Sequence, residues 1–314
     1  MIELYRTDGP ITRVVHEIED WTWVKLTAPT SEEINRVASA LPGLDPDDLM
    51  AANDPEEKTR LAYEDSYSLI LVDVPTHEVR HTIKTYSTIP LGIIVMPRNV
   101  ITVCAVDTAA LRPFHAGTIR GFSTRSRISF IYQILLRTSL LYQQALTEVD
   151  GKRREFEERI ESLSDEKDLI RLHELESTLV YFDTSLRGNG SVLARLEHSE
   201  RLKPGPEEEE LLQDALVENR QAVEMAQIYR DIIDGTRDLM SSVMDARLNN
   251  VMQRLTSITL ILSIPTIISG LYGMNVDLNW MPLALTPHGF GIICGMTSII
   301  CVLLSLVLVR RGWM

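Results

Sequence analysis

Between Arg254 and Asp277 the chain carries no charged residue, and a second uncharged run extends from Gly289 to Val309. At 1.5 Å per residue, about 20 such residues match a hydrocarbon core of roughly 30 Å. Both runs therefore read as transmembrane helices, because buried helices of soluble proteins seldom stay uncharged for so long. Arg247 and Arg254 precede the first span, Arg310 and Arg311 follow the second, and the loop between them has neither Lys nor Arg. The positive-inside rule then places both termini in the cytoplasm and Tyr272-Gly273-Met274-Asn275 on the outer face.

The 314 residues carry a formal net charge of −13. That balance argues against nucleic acid as a partner, since phosphate binding needs a basic surface, and it suits cations. Cys294 and Cys301 lie seven apart in the second span and Cys104 falls in an apolar run. None has metal-ligand spacing, so they read as small apolar residues in a reduced setting. MIELYRTDGP has no apolar core of a signal peptide, and the long N-terminal part is expected to stay in the cytoplasm.

Residues 1–115 read as a cytosolic α/β domain. Ser66 to Val74, Leu91 to Met96 and Val100 to Val106 are apolar, β-branched runs, the last two joined by Pro97-Arg98-Asn99 as a hairpin. Ser31 to Leu41 has helical spacing after a Thr-Ser start that resembles a cap. Residues 116–205 form a long-helix region, with helices expected over 125–162 and 164–201 and an interruption at Gly188-Asn189-Gly190. A stalk helix is expected over 206–254, running into a first transmembrane helix at 255–275. An outer loop (276–288), a second transmembrane helix (289–309) and a basic tail (310–314) complete the chain. The expected fold class is an α+β cytosolic domain with a long helical stalk and two transmembrane helices.

Glu224, Asp231, Asp238, Asp245, Met252, Thr259, Thr266 and Gly273 are spaced seven apart. A straight helix drifts about 20° per heptad from such a seam, so the register needs supercoiled or splayed stalks. The stripe runs from acidic to apolar to hydroxylic, and Ser263 widens it. Polar residues at this period inside a span need a partner helix or water. Read on the residues alone, two alternatives stay open: a pore wall, or hydroxyls bonded to their own helix carbonyls above a solvated acidic face. A Gly-Met-Asn turn that caps a helix end is likewise the plain reading of residues 273–275.

Tyr272-Gly273-Met274-Asn275, Asn249-Asn250-Val251-Met252 leading into Arg254-Leu255-Thr256, and Pro265-Thr266 together resemble the CorA family of divalent-cation channels. The resemblance implies a funnel-shaped homo-oligomer of five subunits in the cell membrane, moving Mg²⁺, with Co²⁺ or Ni²⁺ as further candidates, and needing no other cofactor. It assigns a selectivity filter to Gly273, Met274 and Asn275. Asp238, Asn249, Met252, Leu255, Thr259, Ser263 and Thr266 become pore and gate positions, Met252 and Leu255 forming an apolar constriction. Feedback by cytosolic Mg²⁺ is also implied, and Asp214, Glu224, Asp231, Asp238 and Asp245 are the carboxylates available for it. The implied partners are divalent ions, membrane lipid and further copies of the chain. Two departures bear on ion preference: Ser263 stands where the family often has Met, and Asp277 is the only acid in the outer loop. Gly291 and Gly295 make a GxxxG pattern suited to seating the second span on the first.

Three other readings compete. A related zinc-transporting branch usually has Gly-Ile-Asn, and Met274 favours the magnesium branch. A membrane-anchored coiled-coil scaffold would not need hydroxyls at seam spacing. His77-Glu78-Val79-Arg80-His81 matches the zinc-protease pattern HExxH, but its β-branched surroundings predict a strand, where positions four apart are about 13 Å distant and cannot share a zinc.

Overall fold

A computed structural model describes residues 1–9, 11–80, 82–158, 166–277, 279 and 281–313. By its contacts the chain splits into two units, Met1–Arg237 and Asp238–Met314.

The first unit is built on a seven-stranded sheet in the order β2-β1-β3-β7-β6-β5-β4. The strands are β1 Ile2–Asp8, β2 Ile11–Val14, β3 Trp23–Thr27, β4 Arg60–Tyr63, β5 Ser68–Arg80, β6 Ile83–Val95 and β7 Val100–Cys104. Among the described residues only β3 and β7 pair in parallel, and the other neighbours are antiparallel. β6 and β7 make the expected hairpin, closed by the Met96 N–H donating to Asn99 O at 2.9 Å.

Both faces of the sheet are covered. Successive strand residues point to opposite faces, so Leu69 and Leu71 of β5 join a core with α1 (Ser31–Ala40) and α2 (Pro46–Ala51), while Ile70 and Val72 join a second core. That second core is filled by α3 (Arg112–His115), α4 (Arg127–Glu157), α5 (Glu166–Glu197) and the start of α6 (Pro206–Tyr272). Burial on both faces explains why β5 reads as a continuous apolar run rather than an alternating one. Trp23 anchors the second core against Phe114, Phe122 and Phe130, and its indole N–H donates to Thr102 Oγ1 at 2.9 Å. Thr30 caps α1 in a capping box with Glu33, as its Thr-Ser start suggests. The expected break near residue 163 lies outside the described residues.

Gly188-Asn189-Gly190 does not interrupt α5, contrary to expectation. β4 pairs with β5 only as far as Leu71, which leaves the backbone of Asp73 at an open edge. The Asn189 carboxamide fills that edge: its Oδ1 accepts from Asp73 N–H and its Nδ2 donates to Asp73 O, both at 2.8 Å. Close approach is what the glycine permits, since a Cβ on Gly188 would sit 2.3 Å from Thr59 Oγ1. Asn189→Leu leaves the half-buried N–H and C=O of Asp73 unpaired at up to about 1–3 kcal/mol each, so a stability loss on the order of 2–6 kcal/mol is expected. Thermal unfolding followed by circular dichroism measures it; an unchanged midpoint would remove this role for Asn189.

The second unit contains the rest of α6 and α7 (Gly289–Arg310). α6 is one unbroken helix of 67 residues, running through Gly235, Pro265 and Gly270. It and α7 are long and apolar enough to cross a membrane, and their apolar windows are almost wholly uncovered by the rest of the chain. A core helix of a soluble protein would be buried.

Candidate functional site

Two contacts define which face of α6 meets α7. Ser257 is buried and its hydroxyl donates to Trp313 O at 3.3 Å, and the Cys301 thiol reaches Ile261 O at 3.8 Å. The second contact has a cause in the sequence. Pro265 has no N–H to offer the carbonyl four residues before it, so the oxygen of Ile261 is released from the helix ladder. Inside a membrane such a group needs another donor, and a thiol on the neighbouring helix is one.

With Ser257 set at zero and 100° per residue, Ile261, Ile264 and Ile268 lie within about 40° of the α7 direction. On the same scale Asp238 falls at about 260°, and Asp245, Met252, Thr259, Thr266 and Gly273 follow in steps of about 20° down to about 160°. Leu255 and Ser263 fall within the same arc. The seam thus stays away from α7 throughout the second unit. Met252 is 53% exposed and Leu255 58%; Thr259, Thr266 and Asn249 are exposed too, and Ser263 is half-buried. Thr259 donates to Leu255 O at 2.8 Å, Ser263 to Leu260 O at 2.8 Å and Thr266 to Leu262 O at 3.0 Å. These are the intrahelical bonds of the plainer alternative, made by residues that also face outward.

α6 ends at Tyr272, and the Gly273 N–H donates to Ser269 O at 2.9 Å. The turn closes without the left-handed glycine of a usual helix cap, because Gly273 is not among the glycines of positive φ. Gly273, Met274 and Asn275 are all exposed. Tyr272 has a part the sequence did not suggest: its hydroxyl donates to Pro282 O at 2.6 Å and fastens the loop that follows to the helix end. Asp277, the acid of that loop, is engaged by the backbone and side-chain N–H groups of Asn279, both at 3.0 Å. Gly291 and Gly295 do not seat α7 on α6: a Cβ on either would meet nothing within 4 Å. α7 turns Thr297, Cys301 and Leu308 inward instead.

In the first unit, Asp214, Glu224 and Asp231 are exposed on α6; Asp238 and Asp245 are exposed in the second. None of the five makes an ion pair among the described residues. Carboxylates elsewhere on the long helices do, such as Asp150 with Arg153 and Arg154, and Asp183 with Arg187 and Arg230. Among the described residues no three His, Cys, Asp or Glu side chains come together to hold a metal within one chain.

His77 lies in β5, its ring packed on Tyr86 at 4.2 Å, and Glu78 pairs with Arg80. His81 lies outside the described residues. A strand at His77 is the arrangement that argues against the protease pattern. Burial pushes the Cys104 thiol up to about 11, so it stays protonated at neutral pH and unreactive.

Two helices this apolar and this uncovered are long and apolar enough to cross a membrane, the class of protein in which such a pair is at home. The family described as "CorA-like Mg2+ transporter protein" matches residues 19–311, and the chain belongs to that family, one of ion transporters rather than enzymes. It is 26% identical to the cobalt/magnesium transport protein CorA of Methanocaldococcus jannaschii over 93% of this chain and 90% of that one. The complete structure of the CorA magnesium transporter from the same organism superposes with a TM-score of 0.82 at 24% identity, covering 100% of this chain and 99% of that chain. The cytoplasmic domain of ZntB from Vibrio parahaemolyticus is a more distant likeness, with a TM-score of 0.62 at 13% identity over 78% of this chain and 98% of that one.

Proposed function

We propose that the chain is one subunit of a homo-oligomeric channel that carries Mg²⁺ into the cytoplasm across the cell membrane, with both termini cytoplasmic. The observation that carries this reading is the exposed seam of α6. Residues at pore spacing, from Asp238 to Thr266, face away from α7 and from the rest of their unit, and the helix ends at an exposed Gly273-Met274-Asn275. Among the described residues of a lone chain no other helix covers this face, whereas a ring of copies, five by resemblance to the family and funnel-shaped, turns it inward around an axis.

In that ring the Asn275 carboxamide oxygens, with the Gly273 carbonyls, hold a hydrated ion by its waters. Mg²⁺ gives up its waters reluctantly, so selection by hydrated size and charge avoids dehydrating it. Met252 and Leu255 narrow the path to an apolar constriction that closes by excluding water. Asp214, Glu224, Asp231, Asp238 and Asp245 supply carboxylates, unpaired among the described residues, that repel one another across subunits until a cation sits between them. Cytosolic Mg²⁺ then favours a closed, symmetric bundle, and its loss favours an open one.

Two measurements test the reading. Uptake into proteoliposomes with Mg²⁺, Co²⁺, Ni²⁺ or Zn²⁺ supplied singly should be greatest for Mg²⁺; preference for Zn²⁺ would move the chain to the zinc-transporting branch, and no flux of any ion would leave only a scaffold. Neutralising Asp214, Asp231 and Asp238 together should shift inhibition by internal Mg²⁺ to higher concentration. An inhibition curve identical to that of the unmodified protein would exclude these acids as the sensor.

A further inference from the structure

A cavity of about 240 Å³ lies inside the first unit, between β6, the last turns of α4 and the first turns of α5. We propose that it binds a small organic anion, a carboxylate on a compact aromatic or aliphatic body, with the carboxylate held by Lys84 and Lys152. The site is independent of the transport reading, since none of its residues belongs to the seam or to the second unit.

On α5, Arg171 falls within about 60° of Asp168, Leu175, Thr178 and Phe182, the stripe by which this helix packs. Asp168, Thr178 and Phe182 are buried and Leu175 is half-buried, yet Arg171 is exposed. The helix thus carries a cation at a packing position, where it parts from its neighbours. Across the gap, Lys152 of α4 stands one turn from each of the buried Val149 and Phe156, and Lys84 comes from β6. The floor is Val149, Phe156 and Leu175 with the hydroxyls of Thr85 and Thr178. Those two hydroxyls bond one another at 3.0 Å, so the floor asks for no polar partner and suits an apolar body.

Acids line the cavity too, but they are engaged. Asp168 meets Arg171 at 3.6 Å, and Glu155 and Glu174 each have an interaction of their own. Glu148 accepts the Tyr86 hydroxyl at 2.6 Å. Lys84 and Lys152 make no ion pair among the described residues, and the Lys152 ammonium lies 5.7 Å from the centre of the Tyr86 ring. Both ammoniums act on one imidazole. Partial burial and the charges of Lys84 and Lys152 hold His77 below the usual histidine range, against the opposing pull of Glu148. Two like charges that converge without a counter-ion favour an anion between them.

Size and donor type narrow the class. The volume is the room of about eight waters, below the roughly 300–1,000 Å³ of pockets for drug-sized ligands, so a nucleotide does not fit. Inorganic phosphate would leave the apolar floor wet, and the fork that grips phosphate bidentately, Arg171, is turned to Asp168. A divalent cation is the other candidate occupant, and among the described residues no three His, Cys, Asp or Glu side chains converge to hold one.

The probe is benzoate, added to the full-length protein in neutral detergent and followed by saturation-transfer difference NMR, with benzamide as its uncharged isostere. Benzoate should bind, and benzamide at least tenfold more weakly, because charge-assisted hydrogen bonds from the lysines are replaced by neutral ones. Lys84→Gln and Lys152→Gln should each weaken benzoate about tenfold and leave benzamide unchanged. Leu175→Trp, which fills the floor, should abolish binding of both. If that variant does not fold, the two lysine variants decide, since both lysines are exposed and their replacement removes no core contact. No binding of benzoate, equal binding of benzoate and benzamide, or benzoate binding unchanged in both lysine variants overturns the proposal. So does displacement of benzoate by inorganic phosphate at a concentration below that at which benzoate itself half-saturates, which would leave a bare oxyanion site with no use for the apolar floor.

Discussion

Asn275→Ala is expected to reduce Mg²⁺ uptake in proteoliposomes to that of protein-free vesicles while the oligomer stays assembled. The two halves of that result have separate causes. Asn275 is exposed beyond the end of α6, and its side chain makes no hydrogen bond among the described residues, so its loss removes nothing that holds the fold. Its proposed work is to accept hydrogen bonds from the waters of a hydrated ion, at about 0.5–1.5 kcal/mol each. For a ring of five that amounts to roughly 2.5–7.5 kcal/mol, or about two to five decades of occupancy. Size-exclusion chromatography of the variant checks assembly and radiotracer or dye-based uptake checks flux. Uptake equal to that of the unmodified protein would remove Asn275 from the filter.

Met252→Ser and Leu255→Ser are expected to raise leak through the closed channel. Both side chains are more than half exposed in the single chain and belong to the arc facing away from α7, where the proposed axis lies. Wetting an apolar side chain of this size costs about 1.5–3 kcal/mol, so one serine ring should raise the closed-state leak by roughly tenfold or more. The measurement is flux with inhibitory Mg²⁺ on the cytosolic side, where a closed channel is compared with itself. Leak unchanged in both variants would place the gate elsewhere on the path.

The two spans, the long helices and the β6–β7 hairpin were legible because each is declared locally: by absence of charge, by a 3.6-residue period, or by Pro97-Arg98-Asn99 between two β-branched runs. β1, β2 and β4 were not, since they carry charges and lack the continuous β-branched runs of the central strands. The full length of the β5–β6 hairpin was hidden by Pro75 and Pro90. Each sits where its strand lacks a partner on one side: β4 pairs only as far along β5 as Leu71, and β7 reaches only Leu91 of β6. Gly188-Asn189-Gly190 carries the composition of a break, yet its meaning is tertiary, the closing of a sheet edge. Gly291 and Gly295 carry the pattern of a packing seam and face open space. Of the site, the seam and the terminal Gly-Met-Asn were visible as spacing. The Cys301 contact was not, although Pro265 four residues after Ile261 was a usable signal that one carbonyl would seek a donor off its own helix.

The hydroxyl bonds along α6 bear on what kind of ion such a wall accepts. Thr259, Ser263 and Thr266 have each committed their single proton to a carbonyl of their own helix. Toward the proposed axis they would then present lone pairs only. The waters around a cation turn both hydrogens outward and find an acceptor at each of these three levels; the waters around an anion spend one hydrogen on the ion and have half as many to offer. A passage lined in this way distinguishes the sign of an ion by the orientation of its waters, with no fixed charge in the membrane to slow the ion's exit.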